Sequence, residues 1–335
     1  MDMSELKPTD SRPKWLKDIQ APGTFREDIP IDGISYPYTI IQKGLAPGLP
    51  YSVGFPFESA LMVSEDTQEE YRPFVLAHEV REKTLFAGLP ETQRCPSALI
   101  AELFDVRHEI PEQYAAYLAD RKQFFEALVG LYSLPEQASA VSEGFILGIK
   151  ASSEFLDGAL QIEMETGFCL DNAVQLAAYA HQGQLDKEGF PYILHVERVM
   201  NALEPYGESV QMVGILHDVI EDTDITFEDL ETLGMPISII KGVDSVTKRE
   251  GEEYEKAVQR AKGNALGRLV KLADNRDNGN FNRLTKLPNA NHDRLMHKYS
   301  KALDELTAND AWLQTQVPII QSRIEAHYIQ DSRIR

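Results

Sequence analysis

The stretch Gly214-Ile215-Leu216-His217-Asp218-Val219-Ile220-Glu221-Asp222 has the apolar content of a buried helix but carries four ionisable side chains. In a continuous helix, His217 and Glu221 share one face, and Asp218 and Asp222 lie beside them. An adjacent His-Asp pair offers a metal ion one neutral nitrogen and one anionic oxygen. Glu221 and Asp222 follow one turn later, where two acids can handle a water molecule held by that ion. This stretch therefore predicts a metal site with two acids beside it.

Two other stretches end in the same kinds of residue. His195 closes the apolar run 189–195, and Asp274 closes the run 269–274, with Asn278 one turn later. A single histidine in a helix is more often packed or solvated, so the prediction depends on the three stretches together. Their ligand-type residues form a set of two nitrogens and two oxygens: His195, His217, Asp218 and Asp274.

The composition limits the class of protein. The 335 residues are enough for two domains, and a hydrophobic content of 43% is typical of a soluble globular chain. No run approaches the roughly 20 apolar residues of a membrane span, and the N-terminus lacks a secretory signal pattern, so we expect a cytoplasmic protein with no membrane partner. The formal charge of −20 argues against nucleic acid as a partner. A small anionic substrate fits if a metal and a few cations are concentrated in one pocket.

The pattern along the chain predicts a mainly α protein in two parts. Residues 1–160 read as an α+β domain of unknown role, with strands at 34–41 and near 60–63 and helices at 113–132 and 135–156. Residues 161–335 read as an all-α helical bundle. There, one helix is predicted over 208–222, and Thr226 with Asp229 predicts a helix-starting capping box. The other helices of this part are predicted at 170–181, from Pro191 onward, and at 236–246, 252–262, 265–277, 291–306 and 312–328.

Three ordered motifs resemble a known family. They are Ala180-His181-Gln182-Gly183-Gln184 with Lys187 and the run ending in His195, then Leu216-His217-Asp218-Val219-Ile220-Glu221-Asp222-Thr223, then Lys271-Leu272-Ala273-Asp274 with Asn278. This order resembles the HD-superfamily hydrolases, and most closely the (p)ppGpp hydrolase domain of Rel/SpoT proteins and the small alarmone hydrolases. The resemblance covers residues 165 to 290, about a third of the chain. It implies an HD-type helical bundle in the second part.

The resemblance also implies roles for individual residues. The metal ligands would be His195, His217, Asp218 and Asp274, holding one divalent metal, usually manganese, with iron or zinc also suited to such ligands. Glu221 and Asp222 would be catalytic, orienting water and moving protons, and Asn278 would contact the nucleotide. The cations that would compensate phosphate charge are Lys187, Arg276, Lys248 and Arg249. Lys248 and Arg249 lie in a polar loop, where simple solvation explains them about as well as a substrate role does. His181 is best explained as a packed or hydrogen-bonded helix end.

The implied function is hydrolysis of the 3′-pyrophosphate of ppGpp, an alarmone of the stringent response, to GDP and pyrophosphate. Two departures bear on the substrate. Asp186 stands where the family usually has a basic residue, and Val196 where it usually has proline. One alternative is therefore an HD phosphohydrolase of another phosphorylated nucleotide. Another is a nucleotide-binding regulatory or neutralising protein whose N-terminal half docks a protein partner.

Overall fold

The computed structural model describes residues 26–41, 49–51, 53–54, 61–163, 168–186, 189–280, 283 and 292–334. Most of these residues are helical, and the strands that the structure describes all lie before residue 65. The predicted fold class, mainly α with an N-terminal α+β region, is confirmed. The chain divides into two compact units, Met1–Val80 and Arg81–Arg335. No helix among the described residues is both long enough and apolar enough to cross a membrane.

The first unit contains a four-stranded sheet. Its strands are β1 (Arg26–Ile31), β2 (Ile34–Ile41), β3 (Val53–Gly54) and β4 (Leu61–Ser64), in the order β1-β2-β4-β3. β1 and β2 form a hairpin through Asp32 and Gly33, both with positive φ, as a two-residue turn of this hand requires. β2 pairs in parallel with β4, whose four residues are all buried, as expected of a strand between two neighbours.

The α-helices are α1 (Arg72–Lys83), α2 (Glu91–Glu109), α3 (Tyr114–Tyr132), α4 (Pro135–Ala138), α5 (Glu143–Glu163), α6 (Leu170–Ala180), α7 (Ile193–Ala202), α8 (Glu208–Leu216), α9 (Val219–Asp222), α10 (Phe227–Thr232), α11 (Ile237–Val246), α12 (Tyr254–Lys262), α13 (Ala265–Asn278), α14 (His292–Thr307) and α15 (Ala311–Ile334). Short 3-10 turns precede α1, α3 and α8. The predicted strand at 34–41 and the capping box of Thr226 and Asp229 are confirmed.

Two predicted helices are each divided in the structure. The helix predicted over 135–156 is divided into α4 and α5, because Ser142 accepts the Phe145 N–H at 3.0 Å and so starts a new helix. The helix predicted over 208–222 ends at Leu216 and resumes at Val219. The His217 ring donates to the Gly214 carbonyl at 2.7 Å, the carbonyl that a continuous helix would offer to the Asp218 N–H. The His-Asp pair therefore lies in a break between α8 and α9.

The helices that bear the ligand-type residues approach each other closely. Residues 209–216 of α8 are all buried, as in a central helix. At Gly214 a Cβ would lie 3.0 Å from Leu203 Cδ1 and 3.3 Å from Met200 Cα, so the missing side chain lets α8 pack against α7. At Gly267 a Cβ would lie 1.9 Å from Ser245 Oγ, so α13 packs against α11 in the same way. α13 also packs on α7 and α8, which brings three ligand-bearing segments to one place.

The predicted domain boundary at residues 160 and 161 falls inside the second unit, near the end of α5. α5 packs along α2 and α3, and also along α8 and α11, so the helices on both sides of residue 160 share one core. As a boundary between two functional parts of the chain, residue 160 stays a prediction.

Candidate functional site

Four donor atoms from three segments converge in the second unit. His195 lies on α7, His217 and Asp218 lie in the break between α8 and α9, and Asp274 lies on α13. His217 Nε2 lies 3.1 Å from Asp218 Oδ2 and 3.7 Å from Asp274 Oδ1. His195 Nε2 lies 3.6 Å from Asp218 Oδ2 and 3.4 Å from Asp274 Oδ1. The two imidazoles and Asp274 are buried, and Asp218 is nearly so.

The proton on each imidazole is located by its hydrogen bond. His217 Nδ1 lies 2.7 Å from the Gly214 carbonyl, and His195 Nδ1 lies 2.6 Å from Asp277 Oδ2. A carbonyl and an ionised carboxylate only accept hydrogen bonds, so both Nδ1 atoms carry protons. Both Nε2 atoms then face the two aspartates and are the ring nitrogens left to bind a metal. His217 Nε2 is buried and has no hydrogen-bond partner among the described residues, as expected of an atom that binds a ligand.

The charges of the two aspartates dominate the electrostatics of this cluster. Burial would lower the pKa of His217, but Asp218 and Asp274 outweigh it and raise that pKa well above 6.5. Burial would raise the pKa of Asp274, but Lys271 and the two histidines hold it well below 3.8. In Asp218, His217 likewise overcomes burial and lowers the pKa. Both carboxylates are therefore ionised at neutral pH.

The four donors suit a divalent metal. At a metal–ligand distance of about 2.1 Å, neighbouring ligand atoms lie about 3.0–3.4 Å apart, close to the separations in this cluster. Two imidazoles and two carboxylates form a set that accepts Mn²⁺, Fe²⁺ or Zn²⁺. Of these four, His195, His217 and Asp274 offer ligand atoms that all lie within 4.8 Å of one another, and Asp218 approaches the two histidines. The observation that most favours an ion is the buried Nε2 of His217, which makes no hydrogen bond to a described residue and lies among the other donor atoms.

Glu221 and Asp222 lie at the exposed rim of the cluster. Glu221 Oε2 accepts the Lys248 N–H at 2.9 Å, and the Asp222 carbonyl accepts Gln184 Nε2 at 2.7 Å. Partial desolvation, with the charge of Asp218, raises the pKa of Glu221 above 4.5 and that of Asp222 above 3.8. These carboxyl groups bind a proton more tightly than ordinary surface acids.

The residues predicted to bind substrate are placed differently from one another. Asn278 lies at the cluster, where its amide donates to Asp274 Oδ1. The Lys248 main chain reaches the cluster through Glu221, whereas the Arg249 side chain is paired with Asp244 at 2.5 Å. Arg276 is not brought to the cluster. Two residues beyond Asp274, it lies on the opposite face of α13 and donates to Gln321 Oε1 at 2.5 Å. Lys187 lies outside the described residues.

Three residues with contacts to the cluster were not singled out by sequence reasoning. Lys271 donates to Asp274 Oδ2 at 2.9 Å, Tyr192 donates to Asp218 Oδ2 at 2.7 Å, and Asp277 accepts from His195. Lys271 and Asp277 stand three residues before and after Asp274, which places all three on one helix face. That spacing is the signal by which they could have been found.

His181, expected to be a packed helix end, is buried and hydrogen-bonded to Gln184 at 2.8 Å. Asp186 is engaged in its own loop, where Oδ1 accepts the Phe190 N–H at 2.9 Å. The Asp186 carboxylate therefore accepts a hydrogen bond that stabilises its own loop. Val196 is buried on α7.

Comparison with known proteins found no family model that matches the chain. Over 115 residues it is 36% identical to the guanosine-3′,5′-bis(diphosphate) 3′-pyrophosphohydrolase MESH1 of Drosophila melanogaster, covering 31% of this chain and 64% of that protein. The Danio rerio protein of the same name is 39% identical over 111 residues, covering 30% and 62%. The bifunctional (p)ppGpp synthase/hydrolase SpoT of Escherichia coli is 32% identical over 121 residues, covering 32% and 17%.

A solved structure described as a metazoan ortholog of SpoT that hydrolyzes ppGpp is 28% identical, with a TM-score of 0.38, covering 48% of this chain and 94% of that one. The chain spans less than two thirds of the length of each of the curated relatives named above. Over about a third of its own length, it resembles the Rel/SpoT-type and MESH1 alarmone hydrolases.

Proposed function

We propose that this chain is a metal-dependent phosphohydrolase that cleaves the 3′-pyrophosphate of guanosine alarmones, converting ppGpp and water to GDP and pyrophosphate. The observation that carries the proposal is the convergence of four metal-type donor atoms beside two acids of raised pKa. The names of the curated relatives supply the substrate class.

His195, His217, Asp218 and Asp274 would hold one divalent cation. Bound there, the cation would polarise a phosphoryl oxygen and lower the pKa of a coordinated water. We favour Mn²⁺, while Fe²⁺ and Zn²⁺ suit the same ligands. The protein contributes the geometry, because hydrogen bonds at both Nδ1 atoms keep both Nε2 lone pairs directed inward.

Glu221 and Asp222 would move the protons of the reaction. The Lys248 N–H fixes Glu221 Oε2, so this carboxylate can orient the attacking water and accept its proton. A raised pKa makes Glu221 a stronger base than an ordinary glutamate. Asp222, whose pKa is also raised, would in its protonated form donate its proton to the nucleotide oxygen that leaves, and the proton that Glu221 takes from water would restore it.

The charge of the substrate needs cations near the rim. We propose that Lys187, Lys248 and Arg249 neutralise phosphate oxygens. Lys187 stands in the polar stretch of sequence that precedes His195, and the loop of Lys248 and Arg249 reaches Glu221 through the Lys248 N–H at 2.9 Å. Asn278 would contact the nucleotide from its position against Asp274. Arg276 is left out of this set because it is bonded to Gln321 on α15.

The test is incubation of the purified Mn²⁺-loaded chain with ppGpp, followed by anion-exchange chromatography of GDP and pyrophosphate. We expect equal amounts of the two products from the wild type. Asp218→Ala should form neither product and hold no metal, because it lacks one of four ligands. Asp224→Ala, an exposed aspartate on the same segment, is the matched control and should behave as wild type. Metal-loaded wild type that releases neither product would refute the alarmone assignment.

A second candidate function is hydrolysis of a different phosphorylated nucleotide at the same site. Asp186 favours it, because an anion stands where the alarmone hydrolases usually carry a base and would repel a polyphosphate. A substrate panel with Mn²⁺ separates the two, since only cleavage of another nucleotide with ppGpp left intact supports this version.

A regulatory or neutralising role, with residues 1–160 docking a protein partner, stays a proposal, as does a cytoplasmic location. Nucleotide binding without turnover by the metal-loaded chain would favour that role over an enzyme. Cleavage of any nucleotide in the panel at a catalytic rate would count against it.

A further inference from the structure

Asp277 is the buried carboxylate behind His195. It lies on α13, one turn after Asp274, and its Oδ2 is 2.6 Å from His195 Nδ1. The contact therefore joins the rear of one metal-type histidine to the helix that supplies a metal-type aspartate. His217 is held differently, by the main-chain carbonyl of Gly214. His195 is thus the histidine of the pair whose orientation is set by a side chain.

Two arginines hold the Asp277 carboxylate in place. Arg198 reaches Oδ1 through Nε at 2.7 Å and Oδ2 through Nη2 at 3.1 Å, a two-pronged contact. Arg283 Nη1 donates to Oδ2 at 2.8 Å. Arg198 also lies 4.4 Å above the Tyr328 ring, which limits its own movement. A carboxylate held by two guanidinium groups stays ionised. Burial would raise the pKa of Asp277, but its contacts with His195 and Arg198 keep that pKa low.

The location of the His195 proton follows from this arrangement. Arg283 Nη1 also lies 3.0 Å from His195 Nδ1, but a guanidinium only donates, and the shorter contact from Nδ1 runs to the Asp277 carboxylate. Nδ1 therefore carries a proton and donates it to Asp277. The Nε2 lone pair is left facing Asp218 and Asp274, at 3.6 Å and 3.4 Å.

We propose that Asp277, clamped by Arg198 and Arg283, is a positioning residue that fixes the tautomer and orientation of His195 for metal binding through Nε2. This inference rests on the metal-dependent function proposed above. In the alternative case, Asp277 is only a structural link between α7 and α13. The two cases differ in what removal of the charge does, because a structural link affects stability without changing which nitrogen of His195 binds metal.

The deciding variant is Asp277→Asn, which is nearly isosteric. Its amide cannot accept at both positions, so an N–H group faces either His195 or an arginine. When the amide N–H faces His195, the His195 proton is favoured on Nε2. A proton on Nε2 prevents that nitrogen from binding the metal. The matched control is Asp310→Asn. Asp310 is another buried aspartate of this unit, paired with Arg268 at 3.0 Å and not among the ligand-type residues.

The first readout is titration with Mn²⁺ alone. We expect the dissociation constant to rise about 10- to 100-fold in Asp277→Asn, the range typical of lost partners behind metal ligands, and to stay within about twofold of wild type in Asp310→Asn. The second readout is ¹⁵N NMR of the Zn²⁺-loaded wild type, in which His195 should show a protonated Nδ1 and a metal-bound Nε2.

Equal Mn²⁺ affinity in Asp277→Asn and wild type, or metal on His195 Nδ1, would overturn the proposal. If Asp277→Asn does not fold, Arg198→Lys decides, because it keeps the carboxylate but removes the two-pronged hold. It should weaken Mn²⁺ binding by at least about threefold, and unchanged binding would overturn the proposal. Wild type that binds no Mn²⁺ would overturn the proposed function as well, whereas an unaffected Asp277→Asn overturns this inference alone.

Discussion

Glu221→Gln removes the ionisable group of Glu221 while keeping its shape and its contact. A glutamine Oε1 can accept the Lys248 N–H that Glu221 Oε2 accepts at 2.9 Å, so the side chain should keep its place. Glu221 is exposed, so the free energy of unfolding should change by less than about 0.5 kcal/mol. Loss of a general base typically lowers kcat about 10²- to 10⁴-fold, or about 3–5 kcal/mol in activation free energy. We therefore expect a metal-bound, folded and nearly inactive protein.

The pH dependence of kcat provides a second test of the role of Glu221. Glu221 must be ionised to accept a proton, and its pKa is raised above 4.5 by partial desolvation and by Asp218. The wild-type kcat should therefore fall as the pH drops through that raised pKa, at a higher pH than an ordinary glutamate would give. The residual activity of Glu221→Gln should lack this decline.

The assay measures initial rates of nucleotide cleavage across pH, with bound metal counted by elemental analysis. Glu228→Gln, an exposed glutamate on α10, is the matched control and should keep the wild-type rate and pH profile. If Glu221→Gln holds its metal and turns over within about threefold of wild type, Glu221 is not the base.

Three further predictions follow from described contacts. The pKa of His217 lies well above 6.5, so at pH 7 metal binding should release about one proton, and metal affinity should rise with pH up to that pKa. Calorimetry in two buffers of different ionisation enthalpy measures the proton release, and zero release would contradict this prediction. Arg121→Met should lower the free energy of unfolding, measured in urea, by about 3–5 kcal/mol, because it removes the cation that pairs at 2.6 Å with the fully buried Glu102. Adding Glu102→Leu to Arg121→Met should restore most of the lost stability, and a double variant as unstable as Arg121→Met would contradict this prediction. Arg276→Gln should leave kcat/KM within about threefold of wild type, because Arg276 faces α15; a loss above tenfold would return it to the substrate site.

The ligand-type residues could be selected from the sequence because each ends an apolar run at a recognisable spacing. His217 and Asp218 are adjacent, and His195 and Asp274 stand in ordered motifs, so residue type and order were sufficient. Their hydrogen-bond partners were not predictable in the same way. The pairing of His195 with Asp277 spans 82 positions in the chain and exists only because α7 packs on α13.

Local hydrogen bonds explain where helix boundaries differ from the predicted ones. Apolar periodicity continues through residues 208–222, but the imidazole of His217 takes the Gly214 carbonyl and ends α8. Ser142 starts α5 by the same kind of side-chain competition with the backbone. The hairpin turn at Asp32 and Gly33 had a sequence signal, since Asp-Gly between apolar residues is typical of such turns, yet β1 was not predicted.

Charge alone does not tell where a side chain lies relative to the cluster. Arg276 was predicted to compensate phosphate charge, and Asp186 was predicted to affect the substrate because it stands where the resembled family usually has a basic residue. The structure gives Arg276 a partner on α15 and gives Asp186 a hydrogen bond within its own loop. Whether a charged side chain can reach the substrate depends on the helix face that it occupies and on the hydrogen bonds of its loop. Both are known only from the three-dimensional structure.

The most direct test of the central claim is a crystal structure of the chain grown with Mn²⁺, with anomalous data collected to locate the ion. We expect one strong peak in the second unit, about 2.0–2.3 Å from His195 Nε2, His217 Nε2, Asp218 Oδ2 and Asp274 Oδ1. The His195 and His217 rings should keep their Nδ1 contacts with Asp277 and Gly214. A Mn²⁺ peak bound elsewhere, with these four residues paired only to one another, would contradict it.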